Sequence, residues 1–502
     1  MSKSFYITTT LPYVNASLHM GHALEFIRAD IIARFKKSQN FDVYFNTGTD
    51  EHGMKIYEKA IEKGKDPQSF VDEQFNDFCD AIKIFGLDHS IIHFTRTTDK
   101  RHERIAKDLW MRCYNNNFIY KKNYITKYCV GCESEKTDFE LINGECEDHP
   151  GKKLEIIEED NYFFRYGDFG EKLLSFYKEN PNFVIPDFRF NEIKLFIERG
   201  LQDFSISRLK SKMSWGIEVP NDKDHVMYVW FDALTNYIST FADDNTLTIE
   251  DLLANDKFQK FWVNGTPTQY CGKDNLRFQS AMWQAMLMAS GLPNSHQIVI
   301  DGFITAEGGV KMSKSLGNVV DPKEIVEQYG VDALRLFLVK EVSSFEDSPF
   351  TIERFKEAYN ANLANGLGNL VSRVLKMTTI NSVILTDEDM GEIEREMEKE
   401  KENNAGSYYN YISFLEIFEI NKACDEIWKI IKDIDKDIQD KKPFSLIKTD
   451  KEKAKGDLFQ ILSGLYKVAK MLEIIIPETS SKIQNLIREN KIPESPLFLR
   501  KE

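Results

Sequence analysis

Apolar and polar positions in the first fifty or so residues form three successive patterns. The stretch SFYITTT is rich in β-branched and aromatic residues, which predicts a strand. After a polar loop, apolar residues recur every three or four positions, as on one face of a helix, at Leu24, Ile27, Ile31 and Phe35. The stretch FDVYFNTGTDEHG then predicts a second strand that ends in a polar loop. Strand, helix and strand in this order indicate a parallel α/β sheet, in which ligands bind at the carboxyl ends of the strands.

The pattern changes between about residues 116 and 225. This part of the chain contains a cysteine cluster and short aromatic-rich segments, and it lacks repeated α/β alternation. We predict that it is an insertion that divides an α/β domain into residues 1–115 and 226–350. The second half begins near VMYVWFDALTNYI, where the α/β pattern resumes.

An all-α region is predicted after the α/β domain. Asp321, Pro322 and Glu324 stand where the N-cap, N1 and N3 residues of a helix are expected. This helix is predicted to continue through IVEQYGVDALRLFLV. Residues 351–502 carry helical apolar spacing with few strand signals, which predicts a separate helical domain.

The composition is that of a globular protein. The chain has 502 residues, of which 42% are hydrophobic and 29% are charged, and this length is typical of about three domains. It has no apolar run of about 18 residues and no apolar signal core at the N-terminus, so we expect a cytoplasmic protein without a membrane partner. The net charge of −15 opposes nonspecific coating of nucleic acid, yet it leaves room for a local basic surface that binds a specific one.

Three of the seven cysteines form a cluster with a histidine. Two residues separate Cys129 from Cys132 and Cys146 from His149, and thirteen residues lie between the two pairs. Three thiolates and one imidazole suit tetrahedral Zn²⁺. Four protein ligands leave no open position on the ion, so we predict one structural zinc per chain. The alternative is a chance spacing of free thiols.

Two short motifs indicate a phosphate site. His19-Met20-Gly21-His22 lies at a strand-to-helix junction, where free N–H groups favour phosphate, and Gly21 lets a base approach the backbone. The stretch KMSKS, residues 311–315, offers two ammonium groups and two hydroxyls behind two glycines. Surface histidines and a solvated turn are the alternatives. The chain has no GxxxxGK[ST] phosphate loop, so we expect both motifs to converge on one triphosphate.

The pair of motifs resembles the two signatures of the class I aminoacyl-tRNA synthetases. The chain is most similar to the methionyl-tRNA synthetase family, in the same order over nearly its whole length. The stretches that carry this resemblance are LPYVNASLHMGH, NTGTDEHGMKI, YVWFDALTNYI, QYCGKDNLRF, KMSKSLGNVVDP and IPETSSKI. The resemblance implies a Rossmann-like catalytic domain that is split by the zinc-binding insertion and followed by an all-α anticodon-binding domain.

The resemblance also implies a methionine–tRNA ligase. Such an enzyme activates methionine with ATP to methionyl-adenylate and transfers it to the 3′ end of tRNA(Met), including initiator tRNA, with Mg²⁺ accompanying the ATP. Charge builds on the phosphate oxygens, so catalysis depends on positioning and electrostatic stabilisation. The residues assigned to ATP are His19, Gly21, His22, Asp274, Lys311, Ser313 and Lys314. Of these, His19, His22, Lys311 and Lys314 are expected to be catalytic, and Asp274 to contact the ribose.

The methionine site carries over by the same motifs. The residues assigned to it are Leu11, Tyr13, Asp50, Trp230, Ala233, Tyr237 and Asp301. Asp50 is expected to pair with the substrate ammonium, and the aromatic rings to surround the thioether, which makes favourable contacts with aromatic groups. An N-cap or a structural salt bridge is the alternative for Asp50, and core packing is the alternative for Trp230 and Tyr237.

Two positions depart from the family pattern. Leu234 stands where family members usually have proline, and Asp301 stands where they often have histidine. The family's histidine supports a tyrosine hydroxyl of the methionine site. Asp301 can accept that hydrogen bond but cannot donate one when it is ionised. We therefore expect this chain to differ from the family in how it selects the side chain of its amino-acid substrate.

The anticodon residues of the family are an asparagine and an arginine on one helix and a tryptophan from another. Here NANLANGLGNLVSR supplies Asn362 and Arg373, and Phe444 stands in the tryptophan position. RNA is read mainly through unpaired bases that stack on aromatic rings. The alternative is that Phe444 packs in the core between helices.

Other functions share parts of these patterns. A class I synthetase for another amino acid, such as cysteine, would use zinc for its substrate, which a closed Cys3His site opposes. A nucleotidylyltransferase also uses HxGH, but the helical region argues against it, and the intact motif residues argue against a non-catalytic tRNA-binding relative. With no additional dimerisation module visible, we expect a monomer.

Overall fold

The computed structural model describes residues 3–15, 17–132, 134–136, 141–147, 149–309 and 320–502. Contacts within the chain group it into two compact units. The sheet unit comprises Met1–Ser17, Phe41–Asp80 and His89–Ile300. The helical unit comprises Leu18–Asn40, Ala81–Asp88 and Asp301–Glu502.

The sheet unit is built on a six-stranded sheet. Its strands, with those of the smaller sheets, are β1 (Ser4–Thr9), β2 (Asp42–Thr49), β3 (Ile92–Arg96), β4 (Ile119–Cys129), β5 (Ser134–Lys136), β6 (Leu141–Ile142), β7 (Glu145–Cys146), β8 (Glu155–Phe164), β9 (Val184–Ile185), β10 (Phe204–Ser205), β11 (Ser207–Leu209), β12 (Glu218–Val219), β13 (Asp222–Met227), β14 (Pro267–Gly272) and β15 (Gln297–Asp301). The order in the large sheet is β3-β2-β1-β14-β15-β9. Strand β1 pairs in parallel with both β2 and β14. The order therefore reverses direction at β1, and such a switch point opens a ligand crevice at the carboxyl ends of the strands.

Helices of 3 to 17 residues accompany these strands. They are α2 (Met54–Glu62), α3 (Pro67–Lys83), α4 (Lys100–Asn115), α5 (Gly170–Glu179), α6 (Asp187–Glu198), α7 (Val229–Leu234), α8 (Asn236–Ser239), α9 (Ile249–Ala254), α10 (Asp256–Phe258) and α11 (Trp283–Ser290). Large aromatic side chains fill the core of this unit, among them Trp110, Trp262 and Trp283, which are almost fully buried. This apolar core fixes the sheet that carries the loops described below.

The segment predicted as an insertion has two different parts. Its first part is antiparallel: β4 and β8 pair from Ile119–Phe164 to Tyr128–Glu155, and β5 and β10 flank them. Its later part contributes to the large sheet. Strand β9, which follows α5 and precedes α6 in the chain, pairs in parallel with β15. The expected lack of α/β alternation up to residue 225 is therefore wrong in this part. A strand of two residues is too short to show a periodic pattern.

The helical unit contains one early helix and the C-terminal part of the chain. Its elements are α1 (Met20–Ser38), β16 (Ile304–Thr305), α12 (Pro322–Tyr329), α13 (Val331–Lys340), β17 (Ser348–Pro349), α14 (Ile352–Ala358), α15 (Asn369–Ile380), α16 (Asp387–Glu402), α17 (Ser407–Glu416), α18 (Ile420–Lys441), α19 (Pro443–Leu446), α20 (Lys451–Leu472) and α21 (Pro477–Arg488). A π-helical segment, Tyr359–Gly368, joins α14 to α15. The predicted parallel α/β fold with a helical C-terminal region is confirmed.

Two details of the helices differ from expectation. The predicted N-cap is confirmed, because the Asp321 carboxylate accepts from the Lys323 amide over 2.8 Å. The helix that it begins does not run on, since Gly330 adopts φ 88° and ψ 157° and separates α12 from α13. A residue with a side chain rarely adopts this φ, so the break requires glycine. Among the described residues, no helix is long and apolar enough to cross a membrane.

Helix α1 is buried at polar as well as apolar positions. Arg28 donates to the Asp301 carboxylate over 3.0 Å and to four backbone carbonyls between residues 338 and 344. Asp30 accepts from Arg335 over 2.8 Å and from Arg34 over 2.7 Å. The apolar spacing predicted that one face of α1 is buried. The polar face is buried as well, because each buried charge on it has a partner of opposite charge.

Candidate functional site

The loops after β1 and β2 bring Tyr13 and Asp50 side by side. The two residues form an isolated parallel bridge, and the Asp50 amide donates to the Pro12 carbonyl over 3.1 Å. Asp50 is only 5% exposed. Gly48 permits the close pairing of β2 with β3, because a Cβ there would lie 1.7 Å from the Thr95 carbonyl oxygen. The carboxylate predicted to meet the substrate ammonium therefore sits on a rigid, shielded strand end. Leu11, also predicted for this site, is buried in the loop after β1.

Helices α7 and α8 carry the predicted side-chain pocket. The Trp230 ring stacks on Phe278, with centroids 3.8 Å apart and planes within 6°. Tyr237 is buried; its hydroxyl accepts from the Gln279 side chain, and its carbonyl accepts from the Tyr6 hydroxyl over 2.9 Å. Ala233 lies between the two aromatic residues in the chain and is also buried. These contacts orient both aromatic rings.

Sequence reasoning missed the residues that support the two rings. Phe278 and Gln279 follow directly after β14 and a short turn, and Gln279 Oε1 accepts in turn from Gln269 over 2.5 Å. Phe278 is the last residue of QYCGKDNLRF, and Gln279 follows it directly. Leu234, which departs from the family pattern, is buried in the core of the sheet unit. Asp301, the other departure, accepts a charged hydrogen bond from Arg28.

The first phosphate motif caps α1. The Gly21 amide donates to His19 Nδ1 over 3.1 Å, and the His19 amide donates to His22 Nδ1 over 3.2 Å, which forms a reciprocal capping box. Because both Nδ1 atoms accept from backbone N–H groups, the neutral rings carry their hydrogen on Nε2. The rings stack with centroids 3.8 Å apart. The motif thus holds two Nε2–H donors at a helix N-terminus.

The other predicted ATP residues lie in two places. Asp274 is exposed on a short turn directly after β14, the strand beside the switch point, and its carboxylate accepts from the Asn275 amide over 3.2 Å. Gly308 and Gly309 have φ values of 74° and 78°, so the chain makes a glycine-dependent turn ahead of the KMSKS stretch. The predicted residues Lys311, Ser313 and Lys314 lie outside the described residues.

The predicted metal ligands come together. One ligand atom from each of Cys129, Cys132, Cys146 and His149 lies within 4.8 Å of all the others. Cys132 Sγ is 3.2 Å from His149 Nδ1 and 3.4 Å from Cys146 Sγ. This cluster can hold a metal ion such as zinc, because thiolate sulfur and imidazole nitrogen are the ligands of tetrahedral structural sites.

Glycines shape both halves of the metal cluster. A Cβ on Gly131 would lie 2.5 Å from the His149 ring, so the first ligand pair needs glycine between its cysteines. Asn143 and Gly144 have φ values of 55° and 82° and form the two-residue loop between β6 and β7. Such an Asn-Gly loop favours a tight hairpin, and it delivers Cys146 and His149 to the first pair.

The predicted anticodon residues lie in the helical unit. Arg373 on α15 pairs with Asp435 on α18 over 2.7 Å. Phe444 on α19 is 54% exposed, so the alternative that it packs in the core is wrong. Lys442, in the left-handed conformation with φ 45°, turns the chain between α18 and α19. The exposed ring therefore stands at a helix junction.

Asn362 is engaged elsewhere in the same unit. Its amide donates to the Glu341 carboxylate and to the Ala358 carbonyl, both over 3.0 Å. Asn369 is exposed and lies four positions before Arg373 on α15. Side chains four apart on a helix are neighbours, so Asn369 and Arg373 lie on the same face of α15.

A cavity of about 700 Å³ lies beside the loop after β2 and the start of α7. Gly53 and Met54 line it on one side, and Tyr228 and Val229 on another. The Arg208 guanidinium, buried beside it, lies 4.7 Å from the Tyr228 ring centroid. No sequence motif singled out this arginine, which stands in the sequence beside Lys210 and Lys212.

Comparison with known proteins agrees with these features. The family described as tRNA synthetases class I (M) matches residues 5–153 and 131–375. The chain is therefore a member of the class I tRNA synthetases. Methionine–tRNA ligase of Caldanaerobacter subterraneus is 40% identical over 96% of this chain and 74% of its own length, and that of Nostoc is 38% identical over 96% and 89%. Within its class, the chain belongs to the methionine–tRNA ligase family.

Solved structures give the same result. Mycobacterium tuberculosis methionyl-tRNA synthetase in complex with methionyl-adenylate matches with a TM-score of 0.87 and 32% identity, over 99% of this chain and all of that one. The apo form of that enzyme matches with a TM-score of 0.80. The predicted family, enzyme class and fold are confirmed.

Proposed function

We propose that the chain binds methionine at the strand ends of the sheet unit. The observation that carries this proposal is the paired Tyr13 and Asp50 beside a switch point, together with the oriented rings of Trp230 and Tyr237. Asp50 receives the ammonium group, and the two rings, with Leu11 and Ala233, surround the thioether. The Mycobacterium tuberculosis relative, solved with methionyl-adenylate, supports the same ligand for this chain. Asp301 is included in the proposed methionine site, and its carboxylate also pairs with Arg28.

ATP is activated by residues of the two motifs. His19 and His22 donate their Nε2–H groups to phosphate oxygens, and Gly21 lets the base approach. Lys311, Ser313 and Lys314 stabilise the leaving pyrophosphate, where charge is largest in the transition state. Asp274 accepts from the ribose hydroxyls. Mg²⁺ enters with ATP, since phosphate oxygens are among its preferred ligands, and it neutralises part of their charge.

Zinc has a structural role at the tip of the β4–β8 hairpin. The donor set of Cys129, Cys132, Cys146 and His149 fits a closed tetrahedral site, which binds no substrate. The ion would join the two ligand pairs. Reduced thiols are needed for this, which suits the proposed cytoplasmic location.

The helical unit reads the tRNA anticodon. Phe444 offers an exposed ring for a base, and Arg373 and Asn369 form a neighbouring polar pair. Asn362 stays a candidate, but its amide is already bonded within the unit. The proposed ligand is tRNA(Met), including the initiator, and the boundary of this domain is proposed near residue 351.

One experiment tests the proposed reaction as a whole. Methionine-dependent exchange between ATP and pyrophosphate should be strong, and the same assay with cysteine, valine, isoleucine or leucine should stay near background. Exchange with another amino acid alone would support the rival synthetase. No exchange with any amino acid, in a protein that binds tRNA, would support a non-catalytic relative.

A further inference from the structure

A buried carboxylate in the sheet unit joins two histidines from distant parts of the chain. Asp232 Oδ2 lies 2.6 Å from His52 Nδ1, and Asp232 Oδ1 lies 2.7 Å from His102 Nε2. His102 Nδ1 continues the chain of hydrogen bonds to the Ser239 hydroxyl over 2.8 Å. All four residues are at most 5% exposed. Both carboxylate oxygens are therefore satisfied within the protein.

The positions of these residues relate them to methionine binding. His52 follows Asp50 by two residues, and Asp232 lies on α7 between Trp230 and Ala233. The hydrogen bond from His52 to Asp232 thus joins the loop after β2 to the helix with the proposed side-chain pocket. The Trp215 indole holds the same loop from another side, because it donates to the Glu51 carbonyl over 2.7 Å.

The charges on Asp232 and its two histidines strengthen the hydrogen bond that joins the loop after β2 to α7. Burial alone would raise the pKa of Asp232, but the adjacent His52 and His102 hold it below its usual value. Burial alone would lower the pKa of His52, yet Asp232 raises it above its usual value, with smaller contributions from Glu103 and Glu51. Charged hydrogen bonds are about twice as strong as neutral ones. Removing one partner leaves the other charge buried without compensation.

We propose that Asp232 is a positioning residue for methionine. Through His52 it keeps the Asp50 carboxylate at a fixed separation from Trp230 and Ala233, so that the ammonium and the thioether of one substrate are bound together. His102 and Ser239 hold the carboxylate in the orientation that this requires. The inference rests on the proposed function, because it assumes that Asp50 and Trp230 contact methionine.

The decisive variant is Asp232→Asn, which keeps the size of the side chain and removes its charge. We expect the KM for methionine in pyrophosphate exchange to rise about tenfold or more, while the KM for ATP changes less than twofold. His52→Gln should have the same split between substrates. The double variant should be no worse than the more affected single variant, because the two residues form one link.

A matched control separates positioning from general stability. Tyr411→Phe in the helical unit removes another buried hydrogen bond, from its hydroxyl to the Met471 carbonyl over 2.8 Å. It should lower the melting temperature without changing the KM for methionine. If Asp232→Asn does not fold, the KM for methionine and the KM for ATP of His52→Gln test the inference instead.

Three outcomes would overturn the inference. The first is an equal increase in the KM for methionine and the KM for ATP. The second is that the effects of the two substitutions add up in the double variant. The third is a lower melting temperature with an unchanged KM for methionine. Failure of the proposed function looks different, because the unaltered protein would then show no methionine-dependent exchange. If the unaltered protein catalyses methionine-dependent exchange and the variants have the same KM for methionine, only the role of Asp232 is contradicted.

Discussion

Truncation of Phe444 to alanine tests the proposed anticodon surface. The ring is 54% exposed, so only about half of its apolar area helps folding, and we expect its loss to cost about 1 kcal/mol of stability. Stacking of one base on an aromatic ring contributes about 1–3 kcal/mol. Phe444→Ala should therefore weaken tRNA binding by about 5-fold to about 150-fold.

The assay measures two activities of the same preparation. Aminoacylation needs tRNA, and its kcat/KM for tRNA should fall by the factor given above. Pyrophosphate exchange needs no tRNA in this family, and it should stay within twofold of the unaltered protein. Phe188→Ala is the matched control, because Phe188 on α6 is similarly exposed at 46% and lies in the sheet unit. It should leave both activities unchanged.

A particular result would refute this reasoning. If Phe444→Ala lowers both activities together with a large drop in melting temperature, the ring packs the helical unit and the anticodon is bound elsewhere. If neither activity changes and the protein is stable, Phe444 is an ordinary surface residue. A selective loss of aminoacylation in Phe188→Ala as well would mean that exposed rings in general affect tRNA binding.

Four further predictions concern the metal, the phosphate loop and the helix that carries Arg373. Protein purified without chelator should contain about one zinc per chain by elemental analysis, and a content near zero would contradict the proposed site. Gly131→Ala should reduce that zinc content, because its Cβ would collide with the His149 ring; retention of full zinc occupancy would show that the loop adjusts. Lys314→Ala should slow pyrophosphate exchange by at least about 100-fold with methionine affinity nearly unchanged, since it acts on charge that is largest in the transition state; equal losses in both would indicate a structural role for the loop. Asn369→Ala should raise the KM for tRNA more than Asn362→Ala does, and the reverse order would restore Asn362 as the anticodon residue.

Much of the sheet unit follows from local patterns in the sequence. Strand β1, helix α1 and strand β2 each extend over at least six residues. The β-branched and aromatic residues of the strands and the apolar spacing of the helix are therefore visible in the local sequence. The cluster of three cysteines and one histidine was predictable for a different reason. Cysteine and histidine have few roles, and two short pairs leave one simple arrangement.

Features that depend on single residues or on distant contacts were not predictable. Gly330 ends a helix because of one backbone angle, although the apolar spacing continues across it. Strand β9 is defined by its partner β15 rather than by its own two residues. The hydrogen bond from Gln279 to Tyr237 joins residues 42 positions apart, and no local pattern specifies such a pair.

The buried arginine of α1 has a consequence for synthesis of the chain. Arg28 leaves the ribosome early, but the carbonyls that it binds lie 310 to 316 positions later. At ~5–20 residues per second, the first helix waits roughly 15–60 seconds for these partners. During that interval its guanidinium and its apolar positions have no native neighbours from the C-terminal half. Helix α1 must therefore stay soluble until residues 338 to 344 have been synthesised, and we expect it to be a site of transient chaperone contact during that interval.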